Sequence, residues 1–105
     1  MSRLEQMLAF LAEDPNDNFT RYAVALEYKS AGEITLAVDS LRELRQRDAT
    51  YLPTYYMLGE LLTGQNDFDR AEEVYRAGIA LATETGDLHT RSELEAALDD
   101  MESIR

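Results

Sequence analysis

Cysteine and tryptophan are absent from this chain of 105 residues, and histidine and lysine occur once each. Without cysteine, neither disulfide bonds nor thiolate chemistry is available. The single histidine, His89, has no second histidine with which to form a typical zinc site. No apolar run approaches the roughly 20 residues of a membrane span, and the chain has no glycine-rich phosphate loop. We therefore expect no metal, no cofactor and no membrane-spanning segment.

Positive charge is also scarce, because 21 acidic residues oppose 10 basic ones and the formal net charge is −11. Such a surface repels nucleic-acid phosphates and anionic lipids. We therefore expect neither nucleic acid nor a membrane surface as a partner. The N-terminus lacks the basic and apolar regions of a signal peptide, so the expected location is the cytoplasm. Apolar residues make up 45% of the chain, which is enough for the core of one folded domain.

The segment from Leu52 to Leu81 predicts two helices joined by a turn. Apolar and small residues recur at helical spacing in both halves: Tyr55, Leu58, Gly59 and Leu62 in the first, and Ala71, Tyr75 and Gly78 in the second. Between them, Gly64-Gln65-Asn66-Asp67 predicts a turn with Asp67 as a helix cap. Glycine inside a helix costs about 1 kcal/mol relative to alanine. Gly59 and Gly78 therefore predict a close approach of two helix backbones. At Gly59, leucine is expected to disrupt folding and alanine to have a mild effect.

This pattern resembles the tetratricopeptide repeat, a helix-turn-helix unit of about 34 residues. The first helix of that family carries an aromatic residue followed by Leu-Gly, and here these are Tyr55 and Leu58-Gly59. Leu62 stands where the family usually has tyrosine. The second helix carries alanine and, four residues later, an aromatic residue, here Ala71 and Tyr75.

A second copy of the pattern lies one period upstream. Tyr56 aligns with Tyr22, Gly59 with Ala25, and Ala71 with Ala37. This copy predicts helices over residues 19–30 and 34–47, with Asp17 or Asn18 as the first cap and Gly32 at the turn. The inward residues of its second helix are predicted to be Ile34, Ala37, Val38, Leu41 and Leu44. Together the two copies extend the resemblance over roughly residues 18 to 82.

The flanking segments predict one further helix at each end. Ser2 and Glu5 form a capping box, and the apolar stripe that follows consists of Leu4, Met7, Leu8 and Leu11. Asp87 caps a last helix whose apolar stripe consists of Leu94, Leu98, Met101 and Ile104. The opposite face of that helix is acidic, as a helix that closes a repeat array requires.

The predicted fold is therefore all-α, an antiparallel helix-pair solenoid of about six helices in one domain, residues 1–105. Its parts are a leading helix and linker (1–17), the first repeat (18–51), the second repeat (52–85) and a capping helix (86–105).

The resemblance implies a non-catalytic module that binds a peptide or helix of another protein in a concave groove. The family's groove-facing positions are here Phe19, Tyr22, Leu26, Lys29, Tyr56, Glu60 and Thr63, which also form one stripe on each first helix. Lys29 and Glu60 would select the charge of the ligand. The alternative for Tyr22 and Tyr56 is that both belong to the core. The matching positions for one subclass, which clamps a C-terminal carboxylate, are Tyr22 and Leu26, and neither can hold that group.

Two other functions remain open from the residues. One is a structural module that self-associates into a homodimer, and the more distant one is a small enzyme. His89 is expected to lie at the surface or to pack at a helix end. Asp67 and Asp69 are expected to cap a helix rather than to bind a metal.

Overall fold

The computed structural model describes all 105 residues and contains six α-helices and no strands. The helices are α1 (Arg3–Glu13), α2 (Asn18–Ser30), α3 (Ile34–Arg47), α4 (Pro53–Gly64), α5 (Phe68–Thr85) and α6 (Leu88–Ile104). None of them combines the length and the apolarity required to cross a membrane. The prediction of an all-α chain of six helices is confirmed.

Side chains cap three of these helices at their N-termini. The Ser2 hydroxyl accepts a hydrogen bond from the Glu5 amide at 3.1 Å, and the Glu5 carboxylate accepts one from the Ser2 amide at 3.3 Å. Asp17 and Asp87 accept hydrogen bonds from the amides of Thr20 and Thr90. Each bond satisfies an amide that has no partner within its own helix, so the predicted starts of α1, α2 and α6 are confirmed.

The predicted cap of α5 is wrong. Asp67 occupies the N-cap position, but its side chain accepts no hydrogen bond from the helix backbone. Its carboxylate lies instead 3.6 Å from the guanidinium of Arg70, one turn along the helix. Asp69 is not a capping residue either, because it forms an ion pair with Arg105. Ion pairing with nearby arginines therefore replaces the capping role that the residue types suggested.

The chain is organised in two compact units, Met1–Tyr51 and Leu52–Arg105. In the first unit, α2 packs against both α1 and α3. Its buried apolar residues are Leu11 of α1, Val24 and Ala25 of α2, and Ala37, Val38, Leu41 and Leu44 of α3. The inward face predicted for α3 is therefore confirmed, except that Ile34 is only partly buried. The stripe predicted for α1 is less buried than expected, because Leu8 is exposed.

In the second unit, α4, α5 and α6 pack against one another. Its core combines residues of all three helices: Tyr55, Leu58, Leu61 and Leu62, then Ala71, Val74, Tyr75 and Ala82, and finally Leu94, Leu98 and Met101. Ile104 departs from the stripe predicted for α6, since its side chain is 66% exposed. It is the last residue of α6 and lies beyond the buried part of that helix.

Two glycines allow the close packing of this core. A Cβ atom on Gly59 would lie within 2.7 Å of three ring atoms of Tyr75. A Cβ atom on Gly78 would lie 2.7 Å from Cβ of Tyr55 and 2.9 Å from Cδ1 of Leu94. Both glycines are tightly packed, as predicted, but the atoms next to them belong to side chains and not to the backbone of the facing helix.

Candidate functional site

A pocket of about 400 Å³ opens among the three helices of the second unit. Three of its lining residues belong to α4, namely Tyr56, Glu60 and Thr63, and all three were predicted as groove residues. The other lining residues are Tyr75 of α5 and Ala97, Asp100, Met101, Ser103 and Ile104 of α6. The pocket therefore places the predicted stripe of α4 opposite a wall of α6.

The register of α4 determines which residues reach the pocket. Tyr56, Glu60 and Thr63 are four and three residues apart, so they lie on one face of the helix. The adjacent Tyr55 belongs to the buried face and is 4% exposed, whereas Tyr56 is 38% exposed. Two consecutive tyrosines thus serve different surfaces, one in the core and one at the mouth of the pocket.

The base of the pocket is buried. Tyr75 and Met101 are both core residues. Thr63, which also lines the pocket, donates its hydroxyl hydrogen to the carbonyl oxygen of Gly59 at 2.8 Å. Burial raises the pKa of the Tyr75 hydroxyl; the neighbouring Thr63 side chain opposes this shift, and the charges of Glu60 and Asp100 add to it. The phenol therefore remains neutral where it lines the pocket.

Two carboxylates, Glu60 and Asp100, lie at the exposed rim. The second unit contains twelve acidic residues and four basic ones, all arginine. Each arginine forms an ion pair with carboxylates that do not line the pocket: Arg70 with Asp67, Arg76 with Glu72, Arg91 with Glu95, and Arg105 with Asp69, Glu72 and Glu102. No ion pair of the structure involves Asp100, so this carboxylate leaves a negative charge at the rim.

The other four predicted residues, Phe19, Tyr22, Leu26 and Lys29, lie on α2 in the first unit, and none of them lines this pocket. Phe19 is 75% exposed, whereas the other three are partly buried. The ring of Tyr22 meets that of Tyr51 edge to face, with centroids 6.3 Å apart and planes inclined at 63°. A single groove that uses both sets of residues stays a prediction.

The residues of α6 that line the pocket were not predicted from the sequence, in which α6 was expected only to close the repeat array. The sequence contains one indication of their position, because Ala97 lies one repeat period after the predicted groove residue Thr63. By this spacing α6 corresponds to the first helix of a further repeat, and first helices line the groove. Tyr75 is a core residue that also lines the pocket.

A second, smaller pocket of about 200 Å³ lies in the first unit among α1, α2 and α3. An ion pair between Arg21 and Glu43, 3.1 Å long, lies at this pocket. Arg21 also donates a hydrogen bond to the carbonyl oxygen of Pro15 at 2.7 Å. The two charged side chains that line this second pocket, Arg21 and Glu43, are therefore already paired with each other. His89, in the second unit, lies at the surface beside Glu93.

Comparison with known proteins points to one family. The family model described as tetratricopeptide repeat matches residues 52–85. The solution NMR structure of a tetratricopeptide repeat domain protein from Salinibacter ruber is 36% identical, with a TM-score of 0.82, and the match covers 87% of this chain and 92% of that one. A crystal structure of a tetratricopeptide repeat domain protein from the same organism is also 36% identical, with a TM-score of 0.80, over 85% of this chain and 100% of that one.

A protein from Bordetella parapertussis has a similar structure in solution. It is 26% identical, with a TM-score of 0.82, and the match covers 98% of this chain and 90% of that one. No curated protein matches the chain. The similarity therefore extends over nearly the whole fold, including the two terminal helices.

Proposed function

Because this chain belongs to the tetratricopeptide repeat family, we propose that it binds a peptide or helical segment of another protein on the exposed face of its first helices. Domains of this family generally mediate protein–protein interactions and are generally non-catalytic. The proposed mechanism is burial of apolar and aromatic surface, with charged residues at the rim selecting the partner.

One observation carries this proposal: an exposed tyrosine stands at the mouth of a pocket with a buried base. Tyr56 is 38% exposed although it lies on the same helix as the core residues Tyr55 and Leu58. Tyrosine offers a large, rather rigid ring with a polar tip, and it is enriched among the residues that dominate binding energies. A pocket of about 400 Å³ lies within the range of sites that hold one side chain or a small ligand.

The first unit supplies additional contact surface in this proposal. Phe19 is the most exposed aromatic side chain of that unit, and Tyr22 is only partly buried. We propose that these residues, together with Leu26 and Lys29, contact the same partner segment. The full proposed contact set is then Phe19, Tyr22, Leu26, Lys29, Tyr56, Glu60 and Thr63.

Affinity capture from the native organism, followed by titration with a synthetic segment of the captured protein, tests the proposal. The variant Tyr56→Ala is compared with Phe10→Ala, which removes an aromatic ring of similar exposure from α1, outside the proposed contact set. We expect Tyr56→Ala to weaken binding by roughly 30-fold, the loss typical of a central interface aromatic. Equal binding by both variants would contradict the proposal.

The homodimer that the sequence left open is tested by light scattering at two protein concentrations. The excess of acidic residues in the second unit supports a partner of different charge rather than a second copy of this chain. We expect the mass of one chain at both concentrations. A concentration-dependent doubling of the mass would favour self-association instead.

A further inference from the structure

We propose that the pocket between α4 and α6 receives the side chain of an arginine presented by the partner. The guanidinium would lie at Asp100, and the aliphatic stem would pack against Met101 and Ile104. This inference rests on the proposed function and specifies the chemistry of the partner.

The shape and the apolar walls of the pocket suit a long side chain that is apolar along its stem. Met101 and Tyr75 form a buried base, and Ile104 at the rim is 66% exposed. An arginine stem packs along apolar surface while its charged head stays at a polar edge. Covering Ile104 in this way would bury apolar surface that the folded chain leaves in contact with water. The exposed ring of Tyr56 adds a face on which a guanidinium can stack.

The charge of the rim suits a cation. Asp100 is exposed and forms no ion pair, while all four arginines of the second unit are paired with other carboxylates. The chain therefore supplies no counter-charge of its own to Asp100. Glu60 adds a second carboxylate on the facing helix.

The helix ends add negative potential at the same place. Thr63 lies one residue before the end of α4, and Asp100 and Ser103 lie in the last turns of α6. The C-terminal end of a helix carries a partial negative charge and attracts cations. An acidic residue there opposes the helix dipole, so helix stability does not account for Asp100. A cation in the pocket would offset that unfavourable arrangement.

These features distinguish arginine from other occupants. An acidic peptide would be repelled, and a second copy of the chain would bring the same excess of negative charge. Lysine could reach Asp100, but a guanidinium can also stack on Tyr56 and form two parallel hydrogen bonds with one carboxylate. The occupant is therefore a basic segment of another protein with an arginine at the contact position.

NMR titration of the full chain with N-acetyl-L-arginine amide tests the inference. The matched ligand is N-acetyl-L-citrulline amide, which has nearly the same shape but no charge. We expect the arginine derivative to cause saturable shifts at the backbone amides of Glu60, Thr63, Ala97, Asp100 and Ser103 in low salt, and the citrulline derivative to bind much more weakly. High salt should weaken the arginine complex because it screens exposed charges.

Two neighbouring variants separate the pocket from the general charge of the protein. Asp100→Asn and Asp99→Asn remove the same charge from exposed positions of α6, but Asp99 does not line the pocket. We expect Asp100→Asn to weaken arginine binding about tenfold, which is the loss typical of one charged hydrogen-bonding group. Asp99→Asn should change the affinity by less than a factor of about two, as is typical for an exposed charge that makes no direct contact.

Each contrary result has a defined meaning. Equal weakening by the two variants, equal binding of arginine and citrulline derivatives, or shifts confined to other helices would overturn the inference. The proposed function is judged separately by the capture experiment with Tyr56→Ala. If the native chain captures a partner through Tyr56 but does not bind the arginine derivative, the arginine pocket alone is rejected. If the native chain binds the arginine derivative but Tyr56→Ala does not reduce capture of the partner, the proposed groove is rejected.

Discussion

The ring of Tyr75 occupies the space that a side chain at Gly59 would need, and a Cβ atom there would lie within 2.7 Å of three ring atoms. Likewise, a Cβ atom on Gly78 would lie 2.7 Å from the Cβ atom of Tyr55. Each helix of the α4–α5 pair thus supplies one glycine and one tyrosine to the other. This reciprocal packing gives a physical reason for the glycine and aromatic positions by which the sequence resembles its family.

Gly59→Ala is therefore expected to destabilise the fold, contrary to the mild effect that the sequence predicted. Tyr75 is buried at 3% exposure, so its ring cannot move aside without loss of packing. Overpacking of this kind typically costs about 1–3 kcal/mol. Urea unfolding followed by circular dichroism measures the change.

Gly64→Ala is the control for that experiment. Gly64 lies on the same helix, but a Cβ atom there would meet nothing within 4 Å. Alanine near the end of a helix should leave the stability unchanged or raise it by up to about 1 kcal/mol. If the two variants unfold at the same urea concentration, the packing of Gly59 against Tyr75 does not limit stability.

Removal of residues 88–105 is expected to cause association of the truncated chain. Leu94, Leu98 and Met101 of α6 are buried against α4 and α5, and Leu94 lies close to Gly78. Their loss would expose an apolar face on the remaining helix pair, and large exposed apolar patches promote association. Size-exclusion chromatography and thermal melting measure the outcome. A monomeric truncated chain with an unchanged melting temperature would mean that α6 contributes nothing to the core.

The stability contributed by Asp87 is expected to disappear in acid. Hydrogen bonds from the backbone and hydroxyl of Thr90 lower the pKa of Asp87 below its ordinary value of 3.8. A carboxyl whose pKa is lower in the folded state stabilises the fold above 3.8 and loses this contribution as the pH falls through its folded pKa. Asp87→Ala should therefore melt at a lower temperature than the native chain near neutral pH, and the difference should shrink as the pH falls below that value.

Asp99→Ala serves as the reference for Asp87→Ala, because it removes an exposed carboxylate of α6 that caps no helix. Subtracting its effect corrects for the reduced net charge of both variants. A difference between the native chain and Asp87→Ala that stays constant down to strongly acidic pH would contradict the capping account.

The sequence predicted the helices well because local chemistry determines where they begin and end. Ser2, Asp17 and Asp87 are strong capping residues, and Gly32 and Gly86 adopt the positive φ angles of 78° and 77° that end α2 and α5. The repeat period then predicted which helices pair. Asp67 was misjudged because residue type alone does not exclude a competing ion pair, here with Arg70.

The candidate site was only partly predictable for a different reason. The helical spacing of Tyr56, Glu60 and Thr63 follows from the sequence, and the three do line one pocket. The opposite wall of the pocket is formed by α6 and depends on how that helix packs. The spacing of apolar residues in α6 does not show where its buried stripe ends. Ile104 continues that spacing and is nevertheless 66% exposed, whereas Met101, three residues earlier, is buried.

The central claim, that Tyr56 belongs to a binding surface and not to the core, is tested most directly by comparing Tyr55→Ala with Tyr56→Ala. Both variants receive a thermal melt and a titration with the captured partner segment. We predict that Tyr55→Ala, which truncates a core ring, loses about 3–5 kcal/mol of stability. Tyr56→Ala should keep its fold and lose about 2 kcal/mol or more of binding free energy. A Tyr56→Ala variant that melts as early as Tyr55→Ala, or that binds the segment as tightly as the native chain, would contradict the account.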